Sequence, residues 1–128
     1  ASTIEWWMGQ SNEARSAFDE KGVSLRTALS QLSEMFEGPE LVWANGVNFD
    51  LPILENAYHA CGLTPPWKFY NTRDYRTVKN MFPKELYDGL RVEPMVAHNA
   101  FDDAVSQTLT LQAILNYGRN TSAAKEVA

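Results

Sequence analysis

"LVWANGVNFDLPIL", residues 41–54, changes character halfway along its length. It opens with a short apolar run of strand length that Asn45 and Gly46 interrupt. After Asp50, the apolar residues Ile53, Leu54, Ala57, Tyr58 and Cys61 recur at helical spacing until Gly62. A brief apolar run bounded by a turn signal predicts a buried strand, and a period near 3.6 predicts a helix packed by one face. Asp50, at the boundary, reads as the residue that caps the helix. The loop "LTPPW" then leads into "KFYNTRD", residues 68–74, a second strand candidate, with Asp74 placed to cap a short following helix. Strand, helix and strand in that order imply a right-handed crossover and a parallel pair. They also put Asp50 beyond the carboxyl end of a strand, where open α/β sheets bind ligands.

Towards the N-terminus, Ser2 and Glu5 stand at capping-box spacing and predict a short helix ended by Gly9. Ser11 can cap a second one through Phe18. Ser24 starts a clearer helix, with Leu25, Ala28, Leu29, Leu32, Met35 and Phe36 at helical spacing before Gly38 and Pro39 stop it. On the other side, residues 80–96 contain Pro83, Gly89 and Pro94 and read as irregular. A final helix is expected from Asn99 to about Asn116, with Phe101, Ala104, Val105, Thr108, Leu111 and Leu115 on its apolar face. Two parallel strands make a poor sheet, since parallel sheets are covered on both faces and need more neighbours. The first 40 residues hold no run that reads as a strand. Either the chain is mostly helical or part of the sheet lies elsewhere.

With 128 residues, 45% of them hydrophobic and 21% charged, the chain is expected to fold as one domain over residues 1–128. The single cysteine, Cys61, excludes an internal disulfide and a Cys-rich zinc site, and reads as a small buried hydrophobe. No run approaches the ~20 apolar residues of a membrane helix, and no signal peptide is recognisable, so a cytoplasmic location without membrane association is expected. The net charge of -5 disfavours nonspecific binding to a polyanion. Acidic balance also arises where carboxylates gather to hold divalent cations that meet phosphates, and charge alone does not separate the two.

The second informative stretch is "AHNAFDDA", residues 97–104, at the opening of the last helix. Carboxylates at a helix start need no function, because the first N–H groups and the macrodipole favour negative charge there. That account suffices for Asp102. His98 and Asp103, five residues apart, can face one site if His98 lies just ahead of the helix. With Asn45, Phe49 and Asp50, they resemble two of the three motifs of the DEDDh 3′-to-5′ exonucleases, which have an RNase H-like fold. The second motif of that superfamily matches Asn45, Phe49 and Asp50, and the third, His-x-Ala-x-x-Asp, matches His98, Ala100 and Asp103. "TIEWW", "WANGVNFDLPIL", "PPWKFYNTRDYRT" and "AHNAFDDA", in that order, resemble the exonuclease VIII-like phage and bacterial branch across nearly the whole chain.

The resemblance implies a helix-rich α/β fold with a short parallel strand pair, the C-terminal part of an RNase H-like exonuclease domain. It implies two-metal phosphodiester hydrolysis at the 3′ end of single-stranded DNA or RNA, in which ions roughly 3.5 to 4 Å apart activate water and stabilise the leaving oxygen. By the same resemblance Asp50 and Asp103 are ligands of Mg²⁺ or Mn²⁺, and His98 is the general base, a task suited to an imidazole with its ordinary pKa of about 6.5. Asn48 and Asn99 lie beside these positions as candidate contacts to the terminal nucleotide.

One motif has no counterpart. The superfamily's Asp-x-Glu supplies two of its four metal-binding carboxylates on a first strand, and none precedes Trp6 here. The expectation is therefore an N-terminally truncated domain with little or no nuclease activity alone, and with self-association or a missing N-terminal segment to cover the uncovered strand. The alternative is a non-catalytic nucleic-acid or protein binding module derived from the same fold.

Other residues stay divided between roles. Arg73 and Arg76 flank Asp74, either to touch substrate phosphates or to pair with Asp74 or Glu55. Trp6, Trp7, Trp43, Trp67, Phe69 and Tyr70 are candidates for base stacking, although a core position is the simpler reading for most of them. His59 has no motif around it and reads as an exposed helix residue.

Overall fold

The computed structural model of the protein describes residues 2–19, 21–36 and 41–126. In chain order the elements are α1 (Thr3–Met8), α2 (Asn12–Arg15) with a 3₁₀ turn at Ser16–Phe18, α3 (Leu25–Met35), β1 (Val42–Ala44) and α4 (Val47–Ala60). A 3₁₀ turn at Phe69–Asn71 then enters β2 (Thr72–Asp74), followed by α5 (Tyr75–Asn80), α6 (Lys84–Leu90) and α7 (Ala100–Glu126). The chain divides into two compact units, one of Ala1–Lys21 with Phe82–Ala128 and one of Gly22–Met81. The fold is a helix-rich α/β arrangement with a two-stranded parallel sheet, consistent with part of an exonuclease fold. Among the described residues, no helix is long and apolar enough to cross a membrane.

The unit of Gly22–Met81 holds the crossover. β1 and β2 run parallel with Val42 opposite Thr72, Trp43 opposite Arg73 and Ala44 opposite Asp74. The second strand is shorter than "KFYNTRD" suggested, because Phe69–Asn71 closes into a 3₁₀ turn before pairing begins. Leu29, Leu51, Tyr58 and Trp67 form the core, with Leu32, Phe36, Val42, Val47, Leu54 and Cys61 packed around them. Fully burying a side chain of this size contributes about 1.5–3 kcal/mol, so these few residues carry much of the unit's stability. Their polar ends are satisfied: the Tyr58 hydroxyl donates to the Leu29 carbonyl at 2.9 Å, and the Trp67 indole N–H donates to Glu55 at 3.1 Å. Ser24 caps α3 as expected, accepting from the Thr27 N–H. The stop at Gly38 and Pro39 lies outside the described residues. α4 ends in a Schellman turn, with the Leu63 N–H on the Tyr58 carbonyl and Gly62 at φ 64°.

In the other unit, the Ser2–Glu5 capping box opens α1 and Ser11 caps α2. Two readings change here. Residues 84–90 are helical, although Pro83 and Gly89 argued for irregular chain; Pro83 stands at the N-cap position, where its missing N–H costs nothing. The last helix continues past Asn116 to Glu126, and Gly118 does not stop it. Its buried residues are Ser106, Thr110, Leu111 and Ile114, whereas Phe101, Val105, Leu109 and Leu115 are exposed. The reason lies in the loop packed against it. The Ser106 hydroxyl donates to the Val92 carbonyl at 2.5 Å, and the Val92 N–H donates to the Thr110 hydroxyl at 2.9 Å. Two polar side chains are thus buried because they satisfy another segment's backbone.

Candidate active site

The stretch carrying Asp50 is built from the end of β1. Gly46 takes the N-cap position of α4 at φ 112°, a left-handed conformation open to glycine at little cost. The Gly46 and Val47 N–H groups, which would otherwise need a cap, donate to the Asp74 carboxylate at 2.9 and 3.3 Å. The same carboxylate caps α5, accepting from the Thr77 hydroxyl at 2.7 Å and the Thr77 N–H at 3.2 Å. Asp74 therefore clamps the carboxyl ends of both strands. The Thr77 hydroxyl bond and the backbone donors lower its pKa below the usual carboxylate range, with partial burial opposing them. The Arg76 guanidinium donates to the Asn45 carbonyl at 3.0 Å and lies against Gly46.

This arrangement relieves Asp50 of the capping role that its position suggested. It sits one turn into α4, exposed, and within its unit its carboxylate takes no hydrogen bond or ion pair among the described residues. Asn48 and Phe49 beside it are exposed as well. Pro52 lies in this part of the helix and contributes no backbone N–H there.

His98 and Asp103 belong to the other unit, where the loop before α7 is fastened at several points. The Asp102 carboxylate accepts from the Val96 N–H at 3.1 Å. The Asn99 side-chain oxygen accepts from Phe101 and Asp102 at 3.0 and 3.2 Å, capping the helix. His98, between these anchors, has φ 67°, the one non-glycine residue with positive φ among the described residues. Its ring meets Trp6 edge to face, with centroids 4.8 Å apart. Asp103 is half-buried in the first turn of α7, and within its unit its carboxylate also takes no hydrogen bond or ion pair among the described residues. Asp102 is thus engaged in holding the loop, whereas the Asp103 carboxylate is not.

The profile of the 3′-5′ exoribonuclease Rv2179c-like domain matches residues 1–115. The chain belongs to this family. It thereby joins the DEDDh exonuclease superfamily. The exodeoxyribonuclease of enterobacteria phage T4 is 30% identical over 149 aligned positions, which take in 91% of this chain and 63% of that protein. The chain thus spans a little under two thirds of the length of the curated relative it matches. No solved structure matches it.

In this Rv2179c-like chain, the sequence left Arg73 and Arg76 between phosphate contact and pairing with Asp74 or Glu55. Arg73 instead donates to the Tyr70 and Thr72 carbonyls, each at 2.8 Å, and Arg76 to the Asn45 carbonyl. Two site features were missed. The double duty of Asp74 was visible only as a cap, because its other donors are brought beside it by strand pairing. The Trp6–His98 contact joins opposite ends of the sequence and has no local signature. Of the other aromatics, Trp67 is buried, and Phe69 and Tyr70 are exposed.

Proposed function

We propose that this chain carries the second and third motif residues of a metal-dependent 3′-to-5′ exonuclease acting on single-stranded nucleic-acid ends. The observation that carries the reading is the pair of uncommitted acids, Asp50 and Asp103, each in the first turn of a helix inside a family-matched motif. Both offer hard carboxylate oxygens, the donor type Mg²⁺ and Mn²⁺ take. Among the described residues, however, no group of three or more His, Cys, Asp or Glu side chains gathers as a metal site. The donor type therefore fits and the donor number falls short of a two-ion centre.

Bound metal would supply Lewis acidity towards the scissile phosphate and its attacking water. Asp50 and Asp103 are the residues that would hold the cations, and His98 would accept the water proton on its exposed imidazole, which Trp6 contacts edge to face. Asn48 and Asn99, next to these positions in sequence, are proposed contacts to the terminal nucleotide, and Arg73 to its phosphate once released from the Tyr70 and Thr72 carbonyls. The family is described by RNA and the phage relative by DNA, and the phosphodiester chemistry is common to both.

With two carboxylates in place of four, the 128-residue chain alone is expected to degrade a 3′-labelled oligonucleotide weakly or not at all in Mg²⁺ or Mn²⁺. Fusing an upstream segment that bears Asp-x-Glu should restore stepwise release of nucleotides, and His98→Ala or Asp103→Ala should abolish it. Robust degradation by the chain alone overturns the inactivity. Failure of the fused protein to cleave overturns the exonuclease reading and favours a binding module, which the absence of a gathered metal cluster among the described residues also fits.

A further inference from the structure

Ahead of β2, Phe69 is 84% exposed and Tyr70 56%, two neighbouring large rings turned to solvent. They are not part of a loose loop. The Asn71 N–H donates to the Lys68 carbonyl at 2.9 Å, and the Thr72 hydroxyl donates to the Phe69 carbonyl at 2.8 Å. Arg73 then donates to the Tyr70 carbonyl at 2.8 Å, so all three carbonyls of residues 68–70 are held. The rings stand at 83° with centroids 5.2 Å apart, and the Lys68 ammonium lies 5.8 Å from the Tyr70 ring centroid. A pinned turn thus presents two exposed rings, with the Lys68 ammonium over the ring of Tyr70.

We infer that Lys68, Phe69 and Tyr70 form a stacking platform for the bases of a single-stranded nucleic acid. A nucleobase has a flat apolar face and hangs from an anionic backbone, the two properties that rings flanked by an ammonium complement. The chain's net charge of -5 makes the electrostatic share of binding small, so stacking dominates the affinity. This site lies outside the motif residues. It deepens the exonuclease reading by giving the strand a hold away from its reacting end, and rests on that reading only for the strand being a substrate.

The test is binding of a fluorescein-labelled oligothymidylate to the 128-residue chain in EDTA, where metal-dependent cleavage does not interfere. Phe69→Ala and Tyr70→Ala should each weaken binding by about 5- to 150-fold, the range of one lost base–ring stack, while Phe69→Trp retains it. Lys68→Gln should lower the salt dependence by roughly one phosphate contact. Circular dichroism checks that these exposed substitutions leave the fold intact. Unchanged affinity in both alanine variants overturns the platform, as does undetectable binding by the unsubstituted chain. Loss of self-association in the alanine variants with unaltered oligonucleotide affinity overturns it too, assigning the patch to contact between copies. Cleavage by the Asp-x-Glu fusion is scored separately. Its absence with platform binding retained sinks the exonuclease reading alone, and its presence with unaltered alanine variants sinks the platform alone.

Discussion

His98 holds a backbone conformation that L-residues avoid, and that fact gives the residue a measurable signature apart from catalysis. The left-handed region costs a residue with a Cβ about 1–2 kcal/mol, and glycine escapes most of this. His98→Gly and His98→Ala both lose the ring contact with Trp6, so the comparison isolates the backbone. The glycine variant is expected to be more stable than the alanine variant by about 1 kcal/mol in urea unfolding. Equal stabilities would show that φ is relaxed in solution. Both variants should be inactive in the fused enzyme, which would place the strain at a functional residue. Asp74 supplies the pH counterpart. Its folded pKa is lowered, so the stability it contributes is present above the unfolded carboxylate value of about 3.9 and is lost as pH falls through the folded one. The unsubstituted protein should therefore exceed Asp74→Ala in stability at pH 7 by about 1–2 kcal/mol, the scale of a lost cap. The gap should narrow below about pH 4, and a gap unchanged at pH 3 would remove the clamp from the account.

At the scale of elements, the β1–α4–β2 crossover was legible because "LVWANG" and the apolar spacing from Ile53 to Cys61 both obey simple periods. The start of α4 was misplaced because the cap is divided between Gly46 and a carboxylate on the next strand, and no local pattern encodes that division. α7 was legible in existence but not in orientation. Periodicity weighs apolar side chains and cannot see that Ser106 and Thr110 are needed by the backbone of Val92. Asp50 and Asp103 stand out by motif spacing alone, whereas their freedom from hydrogen bonds within their units has no sequence signal. Gly46 offers the test at this scale. Gly46→Ala imposes a strained φ and brings a Cβ to 3.4 Å from the Arg76 guanidinium, so a loss of about 1–2 kcal/mol is expected. Arg76→Ala in the same background removes the contact but not the strain, and the double variant should remain destabilised in thermal unfolding. Full recovery would assign the cost to crowding rather than to φ.

For the whole molecule, the decisive quantity is apolar surface without a partner. The sheet has two strands of three residues, and each has a single strand neighbour among the described residues. An isolated parallel pair of that size is marginal, because half of its backbone groups face no strand. On α7, Phe101, Val105 and Leu109 recur every four residues and are exposed at 75%, 42% and 44%. Apolar residues exposed at helical spacing form a stripe rather than scattered surface positions, the pattern of a surface that another apolar face covers. The chain is therefore expected to self-associate at micromolar concentration, with a sedimentation coefficient that rises with loading. Val105→Lys with Leu109→Lys should lower that association without unfolding the chain, since neither side chain belongs to the buried set of this helix. A compact, stable monomer in dilute solution at every concentration would show that the stripe is tolerated as it stands. Association that survives both lysines would move the contact to the strand edges, where backbone pairing needs no particular side chain.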